Sequence, residues 1–424
     1  MPSKIILFLF YCFSCLTGVT QTQIKDLLLK NAERLPAEKS MNPFDKIGEA
    51  IGDASIVFIG EQDHGDGSTF LMKEKLVRYL HEEKGFNVIA FESDMYSVNK
   101  AWDDFKQEKL SAEAAIKSCI WPVWTNCAEN SGTFQYISQT QQGANPLILT
   151  GFDNQIAFKT GLGNLKNELL TYLLSSKIPF STSAYYQKDF PSDMETLLNI
   201  FSYSADDKVN KIVLLEKMMD TLKVMHHQLA SAALSTDYFF LLVENCISYS
   251  EQLINIFKGN DYAASLVRDR QMAQNISWLS KNLFKDKKMI VWAANSHIIS
   301  KYSAPFKKVF NKPPSMGSII KADPELAATS YFLGFTGYAG RYERATVNKE
   351  YKIAKPKTNS LEAWLHEADL GNCFINFKPL RFSNEEFFMN CFNWRDHKAA
   401  WQHYFDGIIY LENTEPCTKI VPVK

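Results

Sequence analysis

The chain has no excess of either charge. Its 46 Lys and Arg face 47 Asp and Glu, a net charge of −1, so it carries no basic footprint for nucleic acid. Beyond the N-terminus no apolar run is long enough to cross a membrane. Beyond residues 1–20 Cys-x-x-Cys is absent, which argues against a thiolate zinc site. Gly-x-Ser-x-Gly is absent, which removes the usual serine nucleophile elbow. Neither Gly-x-Gly-x-x-Gly nor a P-loop occurs, so nucleotide chemistry has no support. His-Glu-x-x-His and His-x-x-x-His spacings are missing as well. There are no internal repeats and no low-complexity tract.

What is present is ordinary globular material, 46% hydrophobic and 22% charged over 424 residues. That length suits one elaborated domain or two. Residues 1–20 read as a secretory signal peptide: Lys4 precedes Ile5 to Tyr11, and Gly18 and Thr20 fit cleavage. Export to the periplasm or the medium is expected, with lipidation at Cys15 as an alternative. Six cysteines then remain: Cys119, Cys127, Cys246, Cys373, Cys391 and Cys417. An oxidising compartment permits disulfides. Cys119 and Cys127 are close enough in sequence to pair locally, or all six could be buried thiols.

Short apolar runs recur along the chain. Ser55 to Ile59, Phe86 to Phe91, Pro146 to Phe152, Met289 to Ala294, Tyr331 to Phe335, Cys373 to Phe377 and Gly407 to Leu411 read as buried strands. Helical periodicity separates the first two, between Thr69 and Glu83, and Gly85 stops it. The spacing predicts a βαβ unit on neighbouring strands. Between Asp153 and Met289 the pattern turns helical, with long helices over Asp207 to Leu229, Tyr238 to Phe257 and Asp261 to Phe284. The expected architecture is α/β: a mostly parallel sheet flanked by helices, with a large helical insertion. Residues 21–155 and 286–424 would form the α/β core and residues 156–285 the insertion.

Polar residues stand at the strand ends. Glu61-Gln62-Asp63-His64 follows the first strand, Glu92 the second, Asp153 the third and Asn295-Ser296-His297 the fourth. Ligands in open α/β sheets bind beyond the carboxyl ends of the strands. Imidazole changes charge near neutral pH, and a carboxylate beside it can fix its tautomer. His64, Glu61, Glu92 and His297 are therefore the candidate catalytic residues. Lys73 could neutralise an oxyanion or hold a substrate carboxylate. Trp121, Trp124 and Glu129 could line a pocket. Asp153 and Arg268 could reach the same edge, or Arg268 could pair with Asp269 on its own helix. Two histidines with Glu61, Asp63, Glu92 or Asp153 could also hold zinc or manganese, an alternative that the missing motifs weaken.

Taken together, Ile59-Gly60-Glu61-Gln62-Asp63-His64-Gly65 and Lys84 to Glu92 resemble the erythromycin esterase family. Gly151-Phe152-Asp153, Arg268-Asp269-Arg270-Gln271-Met272 and Trp292-Ala293-Ala294-Asn295-Ser296-His297 continue the resemblance. The family usually has Arg where this chain has Lys73, and an acid where it has Ser68. The resemblance implies a metal-independent hydrolase with no cofactor, acting on a small-molecule ester or lactone, macrolide lactones included. By the same resemblance, His64 activates water, Glu61 and Glu92 orient it, and His297 gives a proton to the leaving alkoxide. The readings from other classes are a non-catalytic binder of a large apolar ligand and a metal-dependent hydrolase.

Overall fold

The computed structural model describes residues 21–35, 43–202, 208–303, 307, 311–344, 347 and 349–420. The expected signal peptide and Cys15 lie outside the described residues. The strands are β1 (Ala32–Arg34), β2 (Ile56–Ile59), β3 (Phe86–Asp94), β4 (Ile148–Asp153), β5 (Lys288–Trp292), β6 (Ser330–Arg344), β7 (Lys349–Lys352), β8 (Cys373–Asn376), β9 (Phe387–Phe392), β10 (Arg395–Ala399) and β11 (Gly407–Thr414).

Eight of these strands lie side by side in the order β1-β8-β11-β6-β2-β5-β3-β4, with β7 hydrogen-bonded to the far end of β6. From β4 to β11 the pairs are parallel. The strands β8 and β1 add antiparallel at one edge. The fold is thus the expected mostly parallel sheet flanked by helices, made mixed by that edge. Its inner strands read as near-continuous apolar runs because both faces are covered. Alternation divides them: Ile56 and Phe58 of β2 join Met289 and Val291 of β5 on one face. Val57 and Ile59 join Ile290 and Trp292 on the other.

Two expectations need correction. The strands β2 and β3 are not neighbours, because β5 lies between them. Ile290 sits opposite Val57 on one side and Ile89 on the other. Sequence order gave the crossover but not the later strand that fills its gap. Second, β6 runs on to Arg344 instead of stopping near Phe335. Leu333 to Gly340 pair with β11, and Arg341 to Arg344 pair with β7.

The helix Gly67–Lys84 packs Phe70, Leu76, Val77 and Leu80 onto the sheet. It ends at Gly85 in the left-handed conformation, φ 71°. Between β4 and β5 the described chain is helical. Most of this segment has its own apolar core, built from Leu165, Leu169, Leu222, Cys246 and Leu253. The helix Asp261–Trp278 instead buries Met272, Ala273 and Ile276 against the sheet. That placement carries Arg268 to the strand edge.

Cys127 and Cys417 form a disulfide, while Cys119 is a buried thiol. The local Cys119–Cys127 pairing is therefore incorrect: Cys119 faces the core from the helix Ala112–Cys119. The disulfide fastens the C-terminal segment across the loop after β2. Cys417 N donates to Gly65 O at 2.8 Å, and Ser68 N donates to Glu415 O at 3.2 Å. Breaking the bridge with Cys417→Ser is expected to lower stability by about 2–4 kcal/mol. Urea unfolding with and without the substitution measures this; an unchanged midpoint refutes it.

Candidate active site

Register places the site. Ile59, Trp292 and Phe91 stand in one row across β2, β5 and β3. The chain after this row carries Glu61, Ala293 to His297 and Glu92, so three separate segments leave the sheet together. Backbone bonds tie them: Asn295 N donates to Glu61 O at 2.8 Å, and Ala294 N donates to Glu92 Oε2 at 3.1 Å. Two glycines permit the close packing. A Cβ on Gly60 would lie 1.9 Å from Asn295 Oδ1, and Gly65 takes φ 113° against the Glu343 carbonyl.

Glu61 is fully buried. Its Oε1 accepts from His64 Nδ1 at 2.7 Å and from Trp124 Nε1 at 3.1 Å. Its Oε2 accepts from Lys73 Nζ at 2.7 Å. Burial pushes the Glu61 carboxyl up, but Lys73 and His64 outweigh it and hold its pKa below the ordinary value. Glu61 is therefore a carboxylate, and His64 Nδ1 must carry the proton between them. That leaves the lone pair on Nε2. The His64 side chain is 24% exposed, and its ring meets Trp124 edge-on at 5.3 Å. Burial lowers the His64 pKa, yet Glu61, Glu92 and Asp63 together raise it above 6.5.

Glu92 lies between the two imidazoles electrostatically. Burial raises its pKa, but His297, Arg268, His64 and the Ala294 N–H bring it down to about 2. Its Oε1 is 2.8 Å from Arg268 Nη2 and 3.3 Å from His297 Nε2. His297 Nδ1 donates to Asp269 Oδ1 at 2.8 Å. Its Nε2 also lies 3.2 Å from Arg268 Nη1. A neutral His297 accepts there from Arg268; a protonated one donates to Glu92. Burial pulls its pKa down, and Asp269 and Glu92 more than restore it, so the protonated form is favoured relative to free imidazole.

The structure brings His64, Glu61, Glu92, His297, Asp153 and Arg268 to one edge. Asp153 takes the Arg268 guanidinium, with Nη2 at 2.7 Å from Oδ2 and Nε at 3.1 Å from Oδ1. Arg268 thus pairs across to Asp153 and Glu92 rather than only along its helix.

Three substrate-contact expectations change. Lys73 is 0% exposed and stacks over Trp292, 3.9 Å from the ring centroid. It cannot touch a substrate; its charge is spent on Glu61. Trp124 is buried and donates to Glu61, so it is a support and not a lining residue. Glu129 is taken up by the C-terminal segment, accepting from Thr418 N at 2.8 Å and Thr418 Oγ1 at 2.7 Å. Trp121 is half-buried and packs on Phe158, 4.7 Å between centroids.

Sequence reasoning missed two positioning residues. Asn295 donates to Phe335 O and Cys391 O at 2.8 Å each and accepts from Phe335 N at 3.1 Å. Asp269 holds His297 and also accepts from Met316 N at 2.8 Å. Both sit beside residues already singled out, the one signal available in the sequence.

A cleft of about 280 Å³ opens over Arg268, Asp269 and His297. A larger cavity, about 800 Å³, lies elsewhere, lined by Phe105, Ile116, Phe134 and Gln142, and includes none of the residues above. Among the described residues, the His, Cys, Asp and Glu side chains close enough to share an ion are Cys127, Glu129 and Cys417. That set contains neither imidazole, and its two sulfurs are joined.

The chain is 25% identical to "Putative hydrolase YbfO" of Bacillus subtilis (strain 168), covering 85% of this chain and 84% of the relative. It is 21% identical to an erythromycin esterase type II of Escherichia coli, over 89% and 94% of the two chains. The fold is similar to a solved erythromycin esterase mutant in its open conformation. The TM-score there is 0.65, with 16% identity over 92% of this chain and 98% of that one. The sequence model of the erythromycin esterase family matches residues 81–414, which take in Glu92, Asp153, Arg268 and His297. On that match the chain belongs to the erythromycin esterase family.

Proposed function

We propose that this protein hydrolyses a carboxylic ester or lactone with water activated by His64. One observation carries the reading: Glu61, itself locked by Lys73 and Trp124, fixes the His64 proton on Nδ1 and leaves Nε2 as a base. His64 Nε2 takes a proton from water as the oxygen attacks the carbonyl carbon. The tetrahedral oxyanion then collapses, the C–O bond breaks, and His297 passes a proton to the leaving alkoxide. Arg268, partly exposed in the cleft, is the cation placed to stabilise the oxyanion, a role the enclosed Lys73 cannot fill. Glu92 couples the two histidines by favouring a proton on either one. We further read the chain as exported; the Cys127–Cys417 bridge supports this, because disulfides persist in oxidising compartments. The helices between residues 156 and 285 are read as an insertion over the strand edge.

A panel of chromogenic esters tests the reaction. Turnover that survives a chelator supports the water-only route. Turnover lost to the chelator favours the metal-dependent reading, and no turnover on any ester favours a binding protein.

The pH profile is a second test. His64 works as a base only when neutral, and its pKa is raised above 6.5. kcat/KM is therefore expected to fall about tenfold per pH unit on the acid side, with the break above 6.5. Linkage runs the other way. A raised pKa stabilises the fold fully below 6.5 and loses that contribution as pH rises through the folded value. The active form is thus the less stabilised one. A break at or below 6.0 in kcat/KM would contradict this assignment.

A further inference from the structure

The ribbon of β6 and β7 flanks the turn that carries His64. A Cβ on Gly65 would lie 2.9 Å from the Glu343 carbonyl oxygen. Residues directly opposite in an antiparallel pair share a face. Arg344 stands opposite Lys349 and Tyr342 opposite Tyr351, so these four lie on one face. The two phenol rings stack at 5.4 Å. Trp394 meets Tyr342 at 5.6 Å, which brings Arg395 alongside. Burial raises the Tyr342 pKa and Asp63 adds to it, while Arg344 and Arg395 both pull against it. On the ribbon's other face the charges are matched. Arg341 bonds Glu350 and Glu415 at 2.9 Å each, and Lys419 Nζ lies 2.8 Å from Glu343 Oε2. The first face is unbalanced: Arg344, Lys349 and Arg395 surround the phenols, and the carboxylate beside them is Asp63. Like charges directly opposite destabilise a sheet. Arg344 donates only Nε to Asp63 Oδ2, at 3.3 Å, and its side chain is 30% exposed. Among the described residues its terminal nitrogens, Lys349 and Arg395 hold no carboxylate. Asp63 Oδ1 in turn accepts from the His64 N–H at 2.9 Å. Unmatched cations thus stand next to the candidate base, and a guanidinium fork fits a carboxylate.

We propose that this face of the ribbon binds an ionised carboxylate on the substrate, so that the preferred ester is a half ester of a dicarboxylic acid. The proposal rests on the hydrolase reading of the neighbouring site. The test compares monoethyl succinate, adipate and suberate with their diethyl esters, in which the charge is masked. At least one half ester is expected to exceed its diester about tenfold in kcat/KM, the gain a charge-assisted hydrogen bond allows. The preference should sit in KM and fade as salt rises. Lys349→Gln and Arg395→Gln together are expected to bring the ratio toward one. Arg344 is left in place because it also holds Asp63. Lys352→Gln, on the ribbon's other face, should leave the ratio as it is. A preference below about twofold for every half ester overturns the proposal. So does a preference that survives the paired substitutions, or one lost equally in Lys352→Gln. Binding of adipate, followed by calorimetry, needs no turnover and separates the two readings. Adipate binding that the paired substitutions abolish, with no ester turned over, sinks the hydrolase reading and keeps the carboxylate site. Turnover without preference does the reverse, and neither turnover nor adipate binding overturns both.

Discussion

His64→Ala is expected to lower kcat/KM for ester hydrolysis by about 10²–10⁴-fold, the usual contribution of a positioned general base. The protein should stay folded. The imidazole is partly exposed, and its removal leaves Glu61 still bonded to Lys73 Nζ and Trp124 Nε1. The loss should fall on kcat rather than KM, because a base acts in the transition state and adds little to substrate binding. Steady-state kinetics beside a thermal melt decide the matter. An unchanged melt with full activity removes His64 from the chemistry. A collapsed melt would show instead that the imidazole is structural. His297→Asn should cost less with esters of acidic alcohols, whose alkoxides leave without a proton, than with alkyl esters. That contrast distinguishes a proton donor from a residue that only shapes the cleft.

Lys73→Met is expected to destabilise the protein by about 3–5 kcal/mol, the cost of breaking a buried ion pair by removing one partner. The two groups are both fully enclosed, 2.7 Å apart. Without Lys73 the Glu61 carboxylate keeps only His64 and Trp124, so its pKa must climb. A protonated Glu61 no longer fixes the proton on His64 Nδ1, and activity falls with stability. Lys73 already has its pKa lowered to about 8, because burial outweighs the pull of Glu61. The pair is thus held in a balance that a neutral side chain upsets. Urea unfolding of Lys73→Met, Glu61→Gln and the double variant forms the test. The double variant should lose clearly less than the two single losses added together. Strict additivity would mean that the pair is not the unit described.

Much of this site was legible as a list of residues but not as an arrangement. Glu61, His64, Glu92, Asp153 and His297 stand out because each follows an apolar run short enough to be a buried strand. Strand pairing itself leaves weak marks in a sequence. Nothing local to Lys288–Trp292 says that it slots between β2 and β3, because parallel partners are chosen by packing on both sheet faces. Lys73 misled for a similar reason. On a helix with an ordinary apolar stripe, a lysine reads as solvated or ligand-facing. Only the enclosed Glu61 carboxylate and the Trp292 ring explain why it is buried. Trp124 and Glu129 looked like pocket lining because they belong to one aromatic stretch with an acid after it. Their partners, Glu61 and Thr418, lie 63 and 289 residues away.

By itself, the sequence determined the strands of the sheet's core, the helix after the first of them, the long helices before β5 and which chemistry is available. Hydrophobic runs, the Gly85 stop and the polar strand ends are local properties of the chain. Tertiary structure alone decided that β5 sits between β2 and β3 and that Cys417 reaches Cys127. It also decided that Lys73 is spent on Glu61. Each of these depends on long-range contact between segments, where the free energy of burying charge and apolar surface is set by neighbours the local sequence does not name.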